Sequence, residues 1–315
     1  MKKITLIALF LSFTMSGYSQ FRVVGYVFAR NDSLIIPDQK VLEKLTHVNI
    51  AFVNPDSAGD LQAPQNFDNF ISQLHTNGRK VLMSIGGGTA NNNYSFLLKD
   101  EHRQSLVKNM VALCVESHLD GIDVDLENDA IDENYDAFIH ELHAALRSNG
   151  KLITAAIATW KGKEMNTQTL KLFDFINIMS YDQTGPWRPD EPGPHSTYEQ
   201  AVAELDYWLK ERGFDKKDLN LGLPFYGYCF GCGNYPSSLG FRVIDSTFTD
   251  AAQKDFLVPD GGGALYYNGI PTIRRKTELA LKKAGGLMIW EISQDAAGES
   301  SLLSTIEKVI RENAE

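Results

Sequence analysis

Leu119-Asp120-Gly121-Ile122-Asp123-Val124-Asp125-Leu126-Glu127-Asn128-Asp129 is an extended segment with two unlike faces. Side chains alternate along a strand, so Asp123, Asp125 and Glu127 share one face and Ile122, Val124 and Leu126 the other. The aliphatic face is ready to be covered by helices. The other is a row of carboxylates spaced roughly 6.6 Å apart along the strand. Three such groups resist joint ionisation once water is excluded, because desolvation and like charge both push a carboxyl pKa upward. A carboxyl kept protonated in this way can serve as an acid at neutral pH. Taken alone, the residues leave open an oxygen-rich metal site or an exposed edge strand with solvated acids.

Strand patterns repeat on both sides of this segment, at residues 21–27, 46–53 and 80–85 before it and 152–158, 175–180, 219–225 and 286–292 after it. Helical patterns lie between them. Phe67, Phe70, Ile71 and Leu74 form one apolar stripe, and Tyr135, Phe138, Ile139, Leu142 and Leu146 another. Ser196-Thr197-Tyr198-Glu199 reads as a capping box ahead of a helix over 201–212, and Pro271 suits the first turn of one over 272–284. A last helix is expected over 301–311. Eight strands alternating with about as many helices predict an α/β fold, a single-domain (β/α)8 TIM barrel. Catalytic groups of such barrels sit at the C-terminal ends of the strands, which is where Glu127 falls.

The pattern Asp120-Gly121-x-Asp123-x-Asp125-x-Glu127 resembles, position for position, the active-site strand of glycoside hydrolase family 18, the chitinases and their relatives. The resemblance implies a retaining, substrate-assisted mechanism. Glu127 would protonate the glycosidic oxygen, and the 2-acetamido group of the sugar would attack the anomeric carbon to give an oxazolinium ion. Asp125 would orient that acetamido group, and Asp123 would share a proton with Asp125. Ser84-Ile85-Gly86-Gly87 matches the family's Ser-x-Gly-Gly pattern, with Ser84 placed to hydrogen-bond Asp123 and the glycines allowing close backbone approach. Met179-Ser180-Tyr181-Asp182 resembles the chitinase form Met-x-Tyr-Asp, whose tyrosine and aspartate hold the acetamido group. Trp290 matches the tryptophan under the cleaved sugar, and Trp187 an aromatic of the leaving-group side. Tyr26, Phe52 and Tyr226 end other strands and are expected, with Met179, to face substrate.

Related endo-β-N-acetylglucosaminidases, which cut N-glycan cores, tend to carry glutamine two residues before the tyrosine. Met179 stands there and tilts the reading toward chitin. Non-catalytic lectins on the same scaffold typically lose the acid at the position of Glu127. The segment 229–285 is too short for the full α+β insertion domain of larger members, so an open groove and attack within chains are expected.

Residues 1–19 read as a signal peptide: Lys2 and Lys3, an apolar run over 4–15, and small residues before a cleavage point near Ser19/Gln20. The run is too short to span a bilayer, so an exported protein of residues 20–315, periplasmic or secreted and without a membrane anchor, is expected. A net charge of −10 opposes nucleic-acid binding, while a neutral polysaccharide is indifferent to it. Chitin or another N-acetylglucosamine oligosaccharide is the expected partner, and the protein is expected to be a monomer. Cys114 falls on an apolar helical face and reads as a core residue. Cys229 and Cys232 suit a local disulfide, with two free thiols as the alternative. His140 and His143 lack the spacing of a zinc-protease helix, and Gly261-Gly262-Gly263 lacks the lysine of a phosphate loop. No metal or cofactor is called for.

Overall fold

A computed structural model describes residues 21–30, 33–88 and 93–314. The expected signal peptide and its cleavage point lie outside the described residues. Eight parallel strands close into a barrel: β1 (Arg22–Arg30), β2 (His47–Ala51), β3 (Lys80–Gly86), β4 (Gly121–Asp125), β5 (Leu152–Ile157), β6 (Phe175–Ile178), β7 (Leu219–Pro224) and β8 (Gly286–Trp290), which pairs back onto β1. The TIM-barrel expectation therefore holds. A two-residue strand, Ser33–Leu34, adds antiparallel to the end of β1.

Helices cover the outer face, including α1 (Phe67–Thr76), α2 (Asp100–Glu116), α3 (Tyr135–Ser148), α4 (Tyr198–Asp206), α5 (Ile270–Lys283) and α6 (Leu302–Glu312). Ile122, Val124 and Leu126 point outward from β4 into the same buried cluster as Phe138, Ile139 and Leu142 of α3. Burying aliphatic groups of this size stabilises the fold by about 1.5–3 kcal/mol each. Cys114 of α2 is fully buried in that layer. The cap of α4 differs from the sequence reading by one residue: Thr197, not Ser196, accepts from the backbone N–H of Gln200. Ser196 is buried and donates to the carbonyl of Ser180 instead.

The barrel interior is polar at its centre. Arg22 Nε donates to Asn220, Asn220 to Asn177, and Asn177 to Asp123, at 3.0, 2.9 and 3.3 Å. This chain of hydrogen bonds crosses from β1 through β7 and β6 to β4 and fixes the base of the acid row. A buried polar group left without such a partner costs about 1–3 kcal/mol. Gly86 sits beside Asp125 in the β3–β4 register with φ +101°, and a Cβ there would lie 2.1 Å from the Asp125 carbonyl oxygen. Gly86→Ala is expected to destabilise the protein by at least about 2 kcal/mol, through overpacking and a forced left-handed backbone. Urea unfolding of the variant checks this.

Between β7 and β8 the chain builds more than a loop. Strands Tyr226–Phe230, Ser238–Gly240, Ala264–Tyr266 and Phe256–Leu257 form a small antiparallel sheet, accompanied by the helix Phe241–Thr247. It is much less than a full α+β domain. Cys229 and Cys232 are joined by a disulfide at the end of its first strand, and the Gly261–Gly263 run leads into the strand Ala264–Tyr266.

Candidate active site

The acids of β4 lie at increasing height toward the C-terminal end of the barrel. Asp123 is completely buried, Asp125 is 4% exposed, and Glu127, just past the strand, reaches a cleft of about 1120 Å³. Each has a different electrostatic task because each has different neighbours.

Asp123 is held by four donors from four strands. Oδ2 accepts from the Tyr26 hydroxyl at 2.6 Å and Ser84 Oγ at 2.8 Å; Oδ1 accepts from Thr154 Oγ1 at 2.6 Å and Asn177 Nδ2 at 3.3 Å. Burial raises its pKa and these bonds oppose the rise. Both of its oxygens are thus occupied, and no hydrogen bond to Asp125 is among these four.

Asp125 has no such support. Its pKa is pushed well up, first by desolvation and then by the charges of Glu127 and Asp123. Its Oδ1 is buried without a hydrogen-bond partner among the described residues. Such an atom is costly to leave unpaired. Glu127 is raised to about 7, mainly by desolvation, with the charge of Asp182 adding to the rise. It is therefore protonated over much of the acid and neutral range. Among the described residues no group of three or more His, Cys, Asp or Glu side chains is arranged to hold a metal ion. The acids are stacked in depth and do not converge.

The cleft wall brings Met179, Tyr181, Asp182 and Trp187 to the same space as Glu127. Asp182 adopts a left-handed backbone, φ 62°. Its Oδ1 accepts from the Tyr226 hydroxyl at 2.6 Å. Trp187 is 55% exposed, with its edge toward Tyr228. Trp290 and Phe52 are not among the residues lining that cleft; Trp290 stacks on Phe52, rings 5.6 Å apart and 25° from parallel, with the Tyr26 ring at 61° to that of Trp290. Gly87 leaves room for this platform, since a Cβ there would strike the Phe52 ring at 2.4 Å.

Two of the expected substrate-facing aromatics are placed differently. Tyr26 and Tyr226 are 1% and 6% exposed, and each commits its hydroxyl to a carboxylate, Asp123 and Asp182 respectively. They orient acids and do not offer a surface. The structure also adds residues that the sequence reading passed over. Gln200, Glu204 and Tyr207 line the cleft from α4 and the turn after it, opposite Trp160 and Lys163. Their spacing on one helical face was the available signal. His195, fully buried against Asp182, had none, being a lone histidine in a Pro/Gly-rich loop.

The family model for glycosyl hydrolases family 18 matches residues 22–295. Among solved structures, the family 18 chitinase from the chitin utilization locus of Flavobacterium johnsoniae is 37% identical. It superposes with a TM-score of 0.84, over 93% of this chain and 95% of its own. Probable chitinase 10 of Drosophila melanogaster is 25% identical over 93% of this chain, and a chitinase-like effector of Moniliophthora roreri is 29% identical over 59%. The chain spans only 16% and 53% of the lengths of those two relatives. From β1 to the loop beyond β8, with the acid row of β4 at its centre, this chain belongs to the glycosyl hydrolases of family 18.

Proposed function

We propose that the protein hydrolyses β-1,4 bonds between N-acetylglucosamine residues of chitin, with retention at the anomeric carbon. Glu127 gives its proton to the glycosidic oxygen as the C1–O bond breaks. The carbonyl oxygen of the substrate's own acetamido group forms the new bond to C1, giving an oxazolinium ion. Glu127, now a carboxylate, takes a proton from water, and the hydroxide adds to C1 and reopens the ring. The observation that carries this reading is the acid row of β4, in which Glu127 reaches the cleft with its pKa raised to about 7 while Asp125 and Asp123 are buried behind it. Asp125 and Asp123 are too deeply buried to serve as a nucleophile themselves, which leaves that part to the substrate's acetamido group. Tyr181 and Asp182 flank the same space, and Trp290 on Phe52 offers a flat face for the sugar ring.

Product analysis on N-acetylglucosamine oligomers, cello-oligosaccharides and a high-mannose glycoprotein tests the proposal. Cleavage of the first alone is expected, because only it carries the internal nucleophile on every sugar. Equal turnover of cello-oligosaccharides would overturn the mechanism, and release of N-glycans alone would make this an endo-β-N-acetylglucosaminidase. Met179 in the cleft favours chitin. A pure lectin on the same scaffold is disfavoured by the presence of Glu127. With Glu127 as the acid, kcat/KM is expected to be flat below and to fall above a pH of about 7, as that proton is lost. A pH–rate profile on a soluble oligomer reads this limb. We further propose an exported enzyme that attacks chains internally. The signal-like residues 1–19, the Cys229–Cys232 disulfide and the small insertion support that reading.

A further inference from the structure

We propose that His195 is a positioning residue that holds a proton against Asp182, so that the catalytic acid Glu127 faces a neutral Asp182–His195 pair and not a bare carboxylate. The inference rests on the assignment of Glu127 as acid. His195 is completely buried. Its Nδ1 lies 3.2 Å from Asp182 Oδ1, and its Nε2 lies 3.3 Å from the carbonyl oxygen of Tyr226. A carbonyl oxygen can only accept, and so can an ionised carboxylate. A neutral imidazole has one N–H, so one of the two contacts would set lone pair against lone pair around a fully buried ring. Both contacts are attractive only if a further proton is present, on His195 as imidazolium or on Asp182 as the neutral acid. In either form the pair carries no net charge.

The surroundings favour the imidazolium. The Asp182 side chain is 39% exposed, so its carboxylate keeps contact with water. The rings of Tyr226 and Tyr228, with centroids 5.1 and 4.8 Å from that of His195, lie within range of a cation–π contact. Asp182 is the carboxylate facing His195 from its own loop, and Tyr226 and Tyr228 face it from the insertion sheet. From α5, Lys276 Nζ donates to Ser196 Oγ at 2.7 Å and to Asn268 Oδ1 at 2.8 Å, fixing the residue next to His195. Glu127 lies beyond Asp182, whose charge, where uncompensated, raises the Glu127 pKa. An uncompensated Asp182 anion would hold the Glu127 proton more tightly, and a pair of zero net charge lets it go more readily. The same contact pins Asp182 in its left-handed backbone.

Nitrogen-15 NMR on histidine-labelled protein, with His195→Asn to assign the resonance, reads the protonation directly and needs no substrate. Protons on both ring nitrogens are expected at neutral pH. An unprotonated Nδ1 or Nε2, with no matching proton on Asp182, would overturn the pair. Kinetics on an N-acetylglucosamine oligomer give a second measure. His195→Phe is expected to move the alkaline limb of kcat/KM upward and to lower kcat about tenfold or more, the scale of one lost hydrogen bond to a charged group. His195→Asn, which keeps a donor toward Asp182 but no charge, should recover most of kcat and still show the displaced limb. A limb unmoved in both variants would leave His195 a packing residue and defeat the proposal. If the wild type cleaves no N-acetylglucosamine polymer, the functional reading falls while the NMR result still decides the pair.

Discussion

Glu127→Gln is expected to lower kcat on chitin oligosaccharides by about 10²–10⁴-fold, the usual contribution of a positioned general acid and base. Glutamine keeps the shape and can still hydrogen-bond the glycosidic oxygen, so KM should change little. What it lacks is a transferable proton at the moment the bond to C1 breaks. The same variant should be the more stable protein, and the sign follows from linkage. Glu127 is raised from 4.5 to about 7 in the folded chain. Between those values the native state binds more protons than the unfolded one, so stability falls as pH rises through that window. Above it the native protein carries the full cost of a half-desolvated carboxylate. An uncharged amide at this position carries none of that cost. Thermal unfolding at pH 8 should show the variant melting higher, with the difference closing near pH 4; a variant that melts lower at both would sink this account of the acid.

Asp125→Asn should cost about 10²–10³-fold in kcat, the scale measured for removing one electrostatic partner of a developing charge. In the free protein, burial and the charges of Glu127 and Asp123 keep Asp125 poised toward its neutral form. In the proposed mechanism positive charge grows on the acetamido group and the ring oxygen, so that balance would shift and an anion at Asp125 would become favourable. Asparagine cannot make the change, although its size and its place in the row are the same. The loss should therefore appear in kcat and hardly in KM, because the interaction strengthens only in the transition state. Steady-state kinetics on a soluble oligomer separate the two, and a rise in KM alone would reassign Asp125 to substrate binding.

Sequence alone determined the barrel and the line of acids, for the same physical reason. Period-two alternation in 119–129 forces Asp123, Asp125 and Glu127 to one side and three aliphatic residues to the other, whatever surrounds them. Repetition of strand and helix patterns on either side left little room for another architecture. The antiparallel sheet between β7 and β8 was harder to see, since its strands are two to five residues long. Only Tyr226-Gly227-Tyr228-Cys229-Phe230 carries a readable alternation. Tertiary structure decided which groups meet. Tyr26 and Tyr226 look like sugar-facing aromatics in one dimension, yet barrel closure turns the Tyr26 hydroxyl onto Asp123, and the insertion sheet brings that of Tyr226 to Asp182. His195 stands 13 residues from Asp182 in the chain and touches it. Depth, and with it the pKa order of the three acids, belongs to the folded state alone. Desolvation depends on what covers a residue, and coverage comes from strands and loops distant in sequence.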